Sequence, residues 1–188
     1  MSNGKRFPLA DAEALAVRLL EQLSPCCERI VIAGSIRRRK PDVGDIELLY
    51  IPKTAEVPDG LFDQRTISLA EASIDQLVKT GVLELRPSKT GIYSWGQKNK
   101  LAVHVESGIP VDLFATTVPN WWNSLVCRTG GKDSNLLITR TALSRGWSFE
   151  SYGSGFRRFN NSDHHETTSE RDVFEFLGLP YKVPEDRP

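Results

Sequence analysis

The stretch from residue 33 to residue 50 constrains the fold and the chemistry of this chain more than any other part of the sequence. Residues 29–33 form a short apolar run rich in β-branched side chains, which is typical of a strand. This strand is predicted to end at Gly34 and Ser35. Glycine lets the backbone approach a ligand closely, while serine offers a hydroxyl and can cap a short following helix. Helix N-termini attract anions, and three consecutive arginines then add fixed positive charge. This strand end is therefore predicted to bind phosphate.

A pair of carboxylates follows the basic turn. After Pro41 and Gly44 interrupt the chain, residues 45–51 are predicted to form a second strand, with Asp45 and Glu47 two positions apart in the sequence. Such side chains lie on the same face of a strand. Because like charges on an apolar strand repel each other, a divalent cation between them would keep both ionised. The pattern predicts a metal site.

A third candidate ligand lies further along the chain. Asp112 is the one carboxylate in the apolar segment 109–115, which is predicted to be a strand. A carboxylate in that setting is costly unless it is paired or metal-bound. We therefore favour a third metal ligand over a buried aspartate satisfied by hydrogen bonds.

Each of these short motifs also has an ordinary structural explanation. A Gly-Ser pair is common in turns, an arginine run is usually solvated, and carboxylates at a strand end can simply aid solubility. Their order is more informative than any one of them, since strand, Gly-Ser, basic turn, Gly-Asp-x-Glu and strand form a compound pattern. This order favours nucleotide and metal chemistry.

Net charge, cysteine spacing and hydrophobicity limit the functions and locations that are expected for this chain. The 188 residues carry a formal net charge of zero, which argues against strong nonspecific binding to DNA, so any contact must come from local patches. Cys26, Cys27 and Cys127 lack Cys-x-x-Cys spacing, so neither a disulfide framework nor a zinc site is predicted. No apolar run reaches the length of a membrane span, and the first residues do not resemble a signal peptide. An intracellular protein without membrane contact is expected.

Predicted helices and strands divide the chain into an α+β fold. Helices are predicted over residues 8–20, 70–80, 121–128, 134–145 and 169–177. Strands are predicted over residues 29–33, 45–51, 82–86, 91–95, 100–106 and 109–115, with a hairpin over 147–156. Residues 53–60 and 160–167 are predicted to be loops. The three strands after residue 82 are expected to form an antiparallel meander that residues 109–115 complete.

Motifs in both halves of the chain resemble those of the family X DNA polymerases. Residues 34–38, Gly-Ser-Ile-Arg-Arg, followed by Gly-Asp-Ile-Glu at 44–47, are similar to the palm signature of the family. Residues 111–114, Val-Asp-Leu-Phe, resemble its strand with the third carboxylate. Residues 128–131, Arg-Thr-Gly-Gly, resemble the Phe-Thr-Gly-Ser turn that contacts the nucleotide, and residues 171–184 resemble the C-terminal ending. The resemblance spans nearly the whole chain.

The resemblance implies a domain organisation and an activity. Residues 1–118 would form a nucleotidyltransferase palm with a mixed or antiparallel sheet and helices, and residues 119–188 a small helical and β thumb. The implied activity is that of a DNA-directed DNA polymerase that adds nucleotides to a 3′-hydroxyl in gap filling or repair by two-metal-ion catalysis. The implied partners are a dNTP, with NTP as an alternative, and primed or gapped DNA. Because the net charge is zero and the lyase domain of the family has no counterpart here, we expect weak binding to DNA. A monomer is also expected.

The resemblance also implies roles for individual residues. Two Mg²⁺ ions, replaceable by Mn²⁺, would be held by the catalytic carboxylates Asp45, Glu47 and Asp112. The triphosphate would be bound by Gly34, Ser35, Arg38 and Gly44. The sugar and base would be contacted by Cys127, Arg128, Thr129, Gly130, Gly131 and Asn135.

Two departures from the family pattern and the turn at residues 129–131 affect these expectations. Glu47 stands where the family usually has Asp, which leaves the coordination geometry open. Cys127 and Arg128 replace an aromatic pair beside the incoming sugar, which predicts weak discrimination against ribonucleotides. The turn at residues 129–131 carries a cis peptide in the family, and its two glycines here allow either a cis bond or a flexible trans hinge.

Two other functions remain open at this point. One is nucleotidyl transfer to a different acceptor, such as an RNA end, a protein hydroxyl or a small molecule. The neutral charge and the missing DNA-binding domain favour it, whereas the thumb-like half argues against it. The other is a non-catalytic module that binds DNA ends or nucleotides. Three mutually repelling carboxylates argue against the second, because binding alone gives no reason to hold them together.

Overall fold

The fold was analysed in a computed structural model, which describes residues 4–60, 63–88 and 90–188. The helices are α1 (Leu9–Leu23), α2 (Gly34–Arg37), α3 (Leu69–Lys79), α4 (Trp121–Thr129), α5 (Lys132–Ser144) and α6 (Glu170–Glu175). The first strands are β1 (Phe7–Pro8), β2 (Cys27–Ile32), β3 (Asp42–Val43), β4 (Ile46–Pro52), β5 (Thr54–Asp59) and β6 (Asp63–Ser68). The remaining strands are β7 (Leu83–Leu85), β8 (Asn99–His104), β9 (Pro110–Ala115), β10 (Trp147–Phe149), β11 (Gly155–Arg158) and β12 (His164–Glu166).

A mixed five-stranded sheet forms the centre of the N-terminal part, with the strand order β2-β4-β9-β8-β7. The central strands β4 and β9 are parallel, whereas the other neighbours are antiparallel. Both faces of β4 are buried, as its nearly continuous apolar sequence requires. Helices α1 and α3 pack on one face around Leu48 and Tyr50, and α4 packs on the other around Leu49 and Phe114. The predicted α+β class with a mixed sheet is confirmed.

The C-terminal part has a core of its own. Its buried apolar residues come from α4, α5, β11 and the segment around α6: Val126, Ile138, Ala142, Phe156, Val173, Phe174 and Leu177. A three-stranded antiparallel sheet of β10, β11 and β12 covers this core. Helix α4 contributes to both parts, since Trp121 and Leu125 pack against the central sheet while Val126 lies in the second core. The division at residues 118 and 119 stays a prediction.

Three sequence-based predictions of local structure were wrong. Residues 54–59, inside the predicted loop 53–60, form β5 and pair with β6; a proline is tolerated there because a two-stranded hairpin has free edges. Residues 91–95 form no strand but only two isolated bridges, and the apolar side chains of Ile92 and Tyr93 are exposed. The polar segment 160–167 contains β12, since a strand on the outside of a small sheet needs little apolar surface.

The helices agree better with the sequence pattern, because capping and periodicity are local signals. Ser169 caps α6 as predicted, with its Oγ accepting a hydrogen bond from the N–H of Asp172 at 3.0 Å. Ser35, by contrast, does not cap α2: the N-cap is Ala33, and Ser35 lies within the first turn. None of the described helices combines the length and apolar surface that a membrane crossing requires.

Candidate active site

A pocket of about 420 Å³ lies where α2 and the start of β4 meet the N-terminal segment. Five of the predicted site residues line it: Ser35, Arg38, Gly44, Asp45 and Glu47. It is also lined by three cations that the sequence pattern did not single out, Lys5, Arg6 and Arg86. A larger cavity of about 540 Å³, at the opposite ends of β4 and β9, contains none of the predicted site residues. Most of the predicted phosphate and metal residues thus line one basic pocket, whereas Gly34 and Asp112 are not among its lining residues.

Gly34 is required by the packing of Glu47. The backbone of Gly34 has a φ of 61°, a left-handed conformation that favours glycine. A Cβ at this position would overlap the carboxylate of Glu47, which lies directly against it. The extra methylene of glutamate is therefore accommodated by the missing side chain of Gly34. The sequence predicts that this glycine lets a ligand approach the backbone closely; in the structure the Glu47 carboxylate lies there, and phosphate binding by Gly34 stays a prediction.

Replacement of Gly34 by alanine should be strongly destabilising. The change introduces both left-handed strain and a direct overlap with Glu47, whereas Gly81→Ala introduces strain alone, because Gly81 has a φ of 72° and open space around it. We expect Gly34→Ala to cost roughly 1–3 kcal/mol more than Gly81→Ala, the usual penalty for overpacking. Urea unfolding of both variants measures the difference. Equal losses would mean that Glu47 moves away without cost.

Three carboxylates lie near the N-terminal ends of β4 and β9. Glu47 and Asp112 are register partners on the parallel strands β4 and β9, and Asp45 immediately precedes β4. Burial, with the negative charges of Asp45 and Asp112, raises the pKa of Glu47 to about 8. Burial also raises the pKa of Asp112 to about 6, although the Arg86 guanidinium opposes this shift. Glu47 and Asp112 therefore resist ionisation unless a cation compensates their charge.

The donor set fits a hard divalent cation. Carboxylate oxygens are the ligands that Mg²⁺ and Mn²⁺ prefer. Asp45 and Glu47 are close in sequence, and the strand register places Asp112 beside Glu47, so all three lie at the same end of β4 and β9. Within residues 4–60, 63–88 and 90–188, no group of three or more His, Cys, Asp or Glu side chains is arranged to hold a metal ion. One of the three carboxylates, Asp112, has an oxygen paired with Arg86. The chemistry of the ligands fits, but the ligands are not gathered around one point.

Two arginines of α2 and its cap connect this pocket to the C-terminal part. Arg38 donates a hydrogen bond to the carbonyl oxygen of Thr129. Arg37 donates to the hydroxyl of Thr129 at 2.5 Å and to both oxygens of Glu170 at 2.9 and 2.6 Å. Of the three arginines, Arg39 alone is exposed, and it matches the ordinary explanation of a solvated basic run; it pairs with the half-buried Glu13 on α1. The arginine run therefore joins the two halves of the protein.

The predicted turn after α4 lies beside this junction. Gly130 has a φ of 60° and a ψ of −142°, and a Cβ there would lie 3.3 Å from Nη1 of Arg38. The C-terminal residue Pro188 packs against Gly131. No cis peptide bond is present in the described parts of the chain, so the trans alternative is the one observed. The side-chain amide of Asn135 donates to the Cys127 carbonyl at 2.8 Å and so helps to hold the turn.

Arg128 lies over the sheet near the carboxylates. Its guanidinium is 3.7 Å from the ring centroid of Phe114, which stands two residues after Asp112 on the same face of β9. Its Nη2 donates to the hydroxyl of Tyr152 at 3.1 Å. Burial raises the pKa of the Cys127 thiol to about 12, so this side chain is a neutral thiol at neutral pH. The sugar and base contacts of Cys127 and Arg128 stay a prediction.

Comparison with known proteins gives consistent similarities over the whole chain. Residues 124–188 match the family model described as the DNA polymerase beta thumb. Over 185 residues, 97% of this chain, the sequence is 28% identical to the DNA polymerase/3′-5′ exonuclease PolX of Bacillus subtilis (strain 168). The chain spans only 29% of the length of this curated relative.

Solved structures of a polymerase show the same fold. The polymerase beta of Leishmania infantum in a ternary P/T complex matches with a TM-score of 0.70 at 21% identity, over 98% of this chain and 77% of that one. The ternary gap complex of the same polymerase matches with a TM-score of 0.74 at 19% identity, over 97% of this chain and 71% of that one. Over nearly its whole length this chain is therefore similar in sequence to a PolX polymerase, its residues 124–188 are similar to the polymerase beta thumb, and its fold resembles that of polymerase beta.

Proposed function

We propose that this chain is a nucleotidyltransferase of the polymerase beta type that adds a nucleotide to the 3′-hydroxyl of primed or gapped DNA. The observation that carries the proposal is the pairing of Glu47 with Asp112 across parallel strands, with Asp45 immediately upstream and cations around the same pocket. The likeness to polymerases in sequence and fold supports it. An intracellular location and a monomeric state stay predictions.

The predicted site residues divide into those that would bind cations and those that would bind phosphate. Asp45, Glu47 and Asp112 would hold two Mg²⁺ ions, for which Mn²⁺ can substitute. When bound, such ions lower the pKa of an acceptor hydroxyl and stabilise a leaving pyrophosphate. The triphosphate would be bound by the backbone and side chains of Gly34, Ser35, Arg38 and Gly44, with Lys5 and Arg6 as further cations of the same pocket.

The C-terminal part would complete the nucleotide site. Arg37 and Arg38 hold the turn at Thr129 beside the pocket, so residues 127–131 can reach the sugar of a nucleotide whose phosphates occupy it. Arg128 and Asn135 would contact sugar and base. The division into a palm of residues 1–118 and a thumb of residues 119–188 is part of this proposal.

A panel of acceptors tests the proposed function. The purified chain is incubated with labelled dNTPs and MgCl₂ or MnCl₂, together with gapped DNA, primed DNA, single-stranded DNA or an RNA end. We expect label to be transferred to the primed and gapped DNA. Transfer only to RNA or to the protein itself would favour the alternative acceptor, whereas binding without transfer would favour a non-catalytic module.

DNA should be bound loosely. The formal net charge is zero, and two of the arginines near the site are engaged within the protein. Few phosphates can then be neutralised, so a plot of log affinity against log salt should have a slope shallower than about −4. Fluorescence anisotropy with gapped DNA from 50 to 200 mM KCl measures the slope. Tight binding with a steep slope would reveal a basic surface that this account lacks.

Discrimination against ribonucleotides should be weak. Cys127 is smaller than the aromatic residue that the family resemblance predicts beside the sugar, so a 2′-hydroxyl meets little steric penalty. We expect dGTP to be preferred over GTP by less than roughly 200-fold and Cys127→Phe to raise this ratio. Single-nucleotide insertion on one primer with matched metal measures both ratios. A preference of several thousand-fold in the unmodified chain would require a gate formed by the backbone.

A further inference from the structure

Arg86 is held beside the candidate metal ligands by several contacts. It follows β7, and its Nη2 donates a hydrogen bond to Oδ1 of Asp112 on β9, across the intervening strand β8. Its Nε donates to the carbonyl oxygen of Ala102 at 3.0 Å, and its Nη1 to that of Pro87 at 3.3 Å. Backbone carbonyls therefore fix the guanidinium in place. The side chain of Asp112 is only 13% exposed, so this ion pair is screened less than a surface pair.

This arginine belongs to the same pocket as the other two carboxylates. Arg86 lines it together with Asp45 and Glu47, and Asp112 is the register partner of Glu47. A divalent cation that uses Oδ1 of Asp112 must displace the guanidinium. One that uses only Oδ2 must bind within a few ångströms of a fixed positive charge, and either arrangement weakens its binding.

We propose that Arg86 is the resident counter-ion of the candidate metal site and competes with divalent cations for Asp112. Arg86 compensates the charge of Asp112 when no cation is bound. It also lowers the affinity of the site for a divalent cation that arrives without a nucleotide. Binding of a divalent cation then depends on further negative charge, which the phosphates of a nucleotide supply. The inference rests on the metal site of the proposed function, but not on nucleotide transfer itself.

Binding of Mn²⁺ without nucleotide tests this competition. The signal of free Mn²⁺ in electron paramagnetic resonance is titrated with the full chain and with the variants Arg86→Gln, Arg86→Lys and Arg65→Gln. Arg65 is exposed on β6 and does not line the pocket, so its variant removes the same charge elsewhere.

We expect Arg86→Gln to bind Mn²⁺ on the order of tenfold more tightly than the unmodified chain. Arg86→Lys, which keeps the charge, and Arg65→Gln should stay within about twofold of the unmodified chain. Unchanged or weaker binding by Arg86→Gln would overturn the proposal.

Thermal unfolding with and without MnCl₂ supplies a second readout. Arg86→Gln leaves Asp112 without its cationic partner, so we expect a lower midpoint than in the unmodified chain without metal and a larger rise when Mn²⁺ is added. Adding Asp112→Asn to Arg86→Gln should remove the gain in Mn²⁺ affinity, because the ligand for which Arg86 competes is then gone. A gain that persists in the double variant would contradict the role of Asp112.

The two proposals fail in different ways. If no variant transfers nucleotides but Arg86→Gln gains Mn²⁺ affinity through Asp112, the proposed function fails and the competition stands. If the unmodified chain transfers nucleotides and Arg86→Gln gains no affinity, the competition alone is refuted. If neither the unmodified chain nor Arg86→Gln binds Mn²⁺, the metal site and the competition are refuted together.

Discussion

Replacement of Asp112 by asparagine is expected to abolish nucleotide transfer while leaving the fold intact. Asparagine keeps the shape of the side chain and an oxygen that can accept the hydrogen bond of Arg86, but it removes the charge opposite Glu47. Losing one carboxylate ligand of a two-metal site should cost several kcal/mol of transition-state stabilisation, or at least about 10³-fold in turnover. Primer extension at saturating nucleotide and metal measures the loss.

A matched variant shows whether the loss of activity comes from the missing carboxylate at the site or from the change in net charge. Asp63 is exposed at the start of β6 and does not line the pocket, so Asp63→Asn should keep full activity. Circular dichroism checks that Asp112→Asn remains folded. If a folded Asp112→Asn protein turned over nucleotides at the unmodified rate, the three-carboxylate mechanism would be wrong.

Replacement of Glu170 by alanine should cause the largest loss of stability. Glu170 accepts hydrogen bonds from Arg37 in the N-terminal part and from Arg187 near the C-terminus, at distances of 2.6 to 2.9 Å. Arg187 has a relative exposure of 0%, so removing its carboxylate leaves a buried charge without its ionic partner. Breaking a buried pair in this way costs about 3–5 kcal/mol. Urea unfolding gives the loss directly.

The same helix offers a control for this variant. Glu175 pairs with Arg171 one turn away at 3.3 Å, but both side chains are more than half exposed. Exposed pairs of this kind contribute little, so Glu175→Ala should change stability by less than about 0.5 kcal/mol. If the two variants lost equal stability, the connection of Arg37, Glu170 and Arg187 would not be what holds the two halves together.

The pairing of Glu170 also predicts a pH dependence. Burial would raise its pKa, but the hydrogen bonds and charges of Arg37 and Arg187 more than offset burial and hold the pKa below the ordinary value. A carboxylate whose pKa is lower in the folded state contributes stability above its unfolded pKa, near about 4.3, and loses it as the pH falls through the folded pKa. Glu170→Gln should therefore lose less stability on acidification than the unmodified chain. An identical pH profile would show that Glu170 ionises equally in both states.

The sequence predicted the central strands and their carboxylates because these depend on local patterns. The apolar runs around Glu47 and Asp112 determine β4 and β9, and the short connection through Gly44 determines where Asp45 lies. Capping at Ser169 was predictable for the same reason. Patterns of this kind involve only a few neighbouring residues, so the elements they specify can be predicted without knowledge of the tertiary contacts.

The partners of these carboxylates could not be predicted, because they come from distant parts of the chain. Lys5 and Arg6 reach the pocket through the pairing of β1 with β3, and Arg86 reaches Asp112 across a strand. A Lys-Arg pair directly before β1 and an arginine at a strand end were the available signals in the sequence, but neither specifies a partner. Ion pairs between remote residues depend on strand order, which local periodicity does not encode.

Addition of one nucleotide to a primer with a free 3′-hydroxyl tests the central claim most directly. Gapped DNA is incubated with a single dNTP and MgCl₂ or MnCl₂, and the primer is weighed by mass spectrometry beside an identical primer that ends in a 3′-dideoxynucleotide. The proposed mechanism predicts a gain of one nucleotide on the 3′-hydroxyl primer alone, and no gain when EDTA is present. A primer mass that stays unchanged with either metal, or an equal gain on the dideoxy primer, would contradict it.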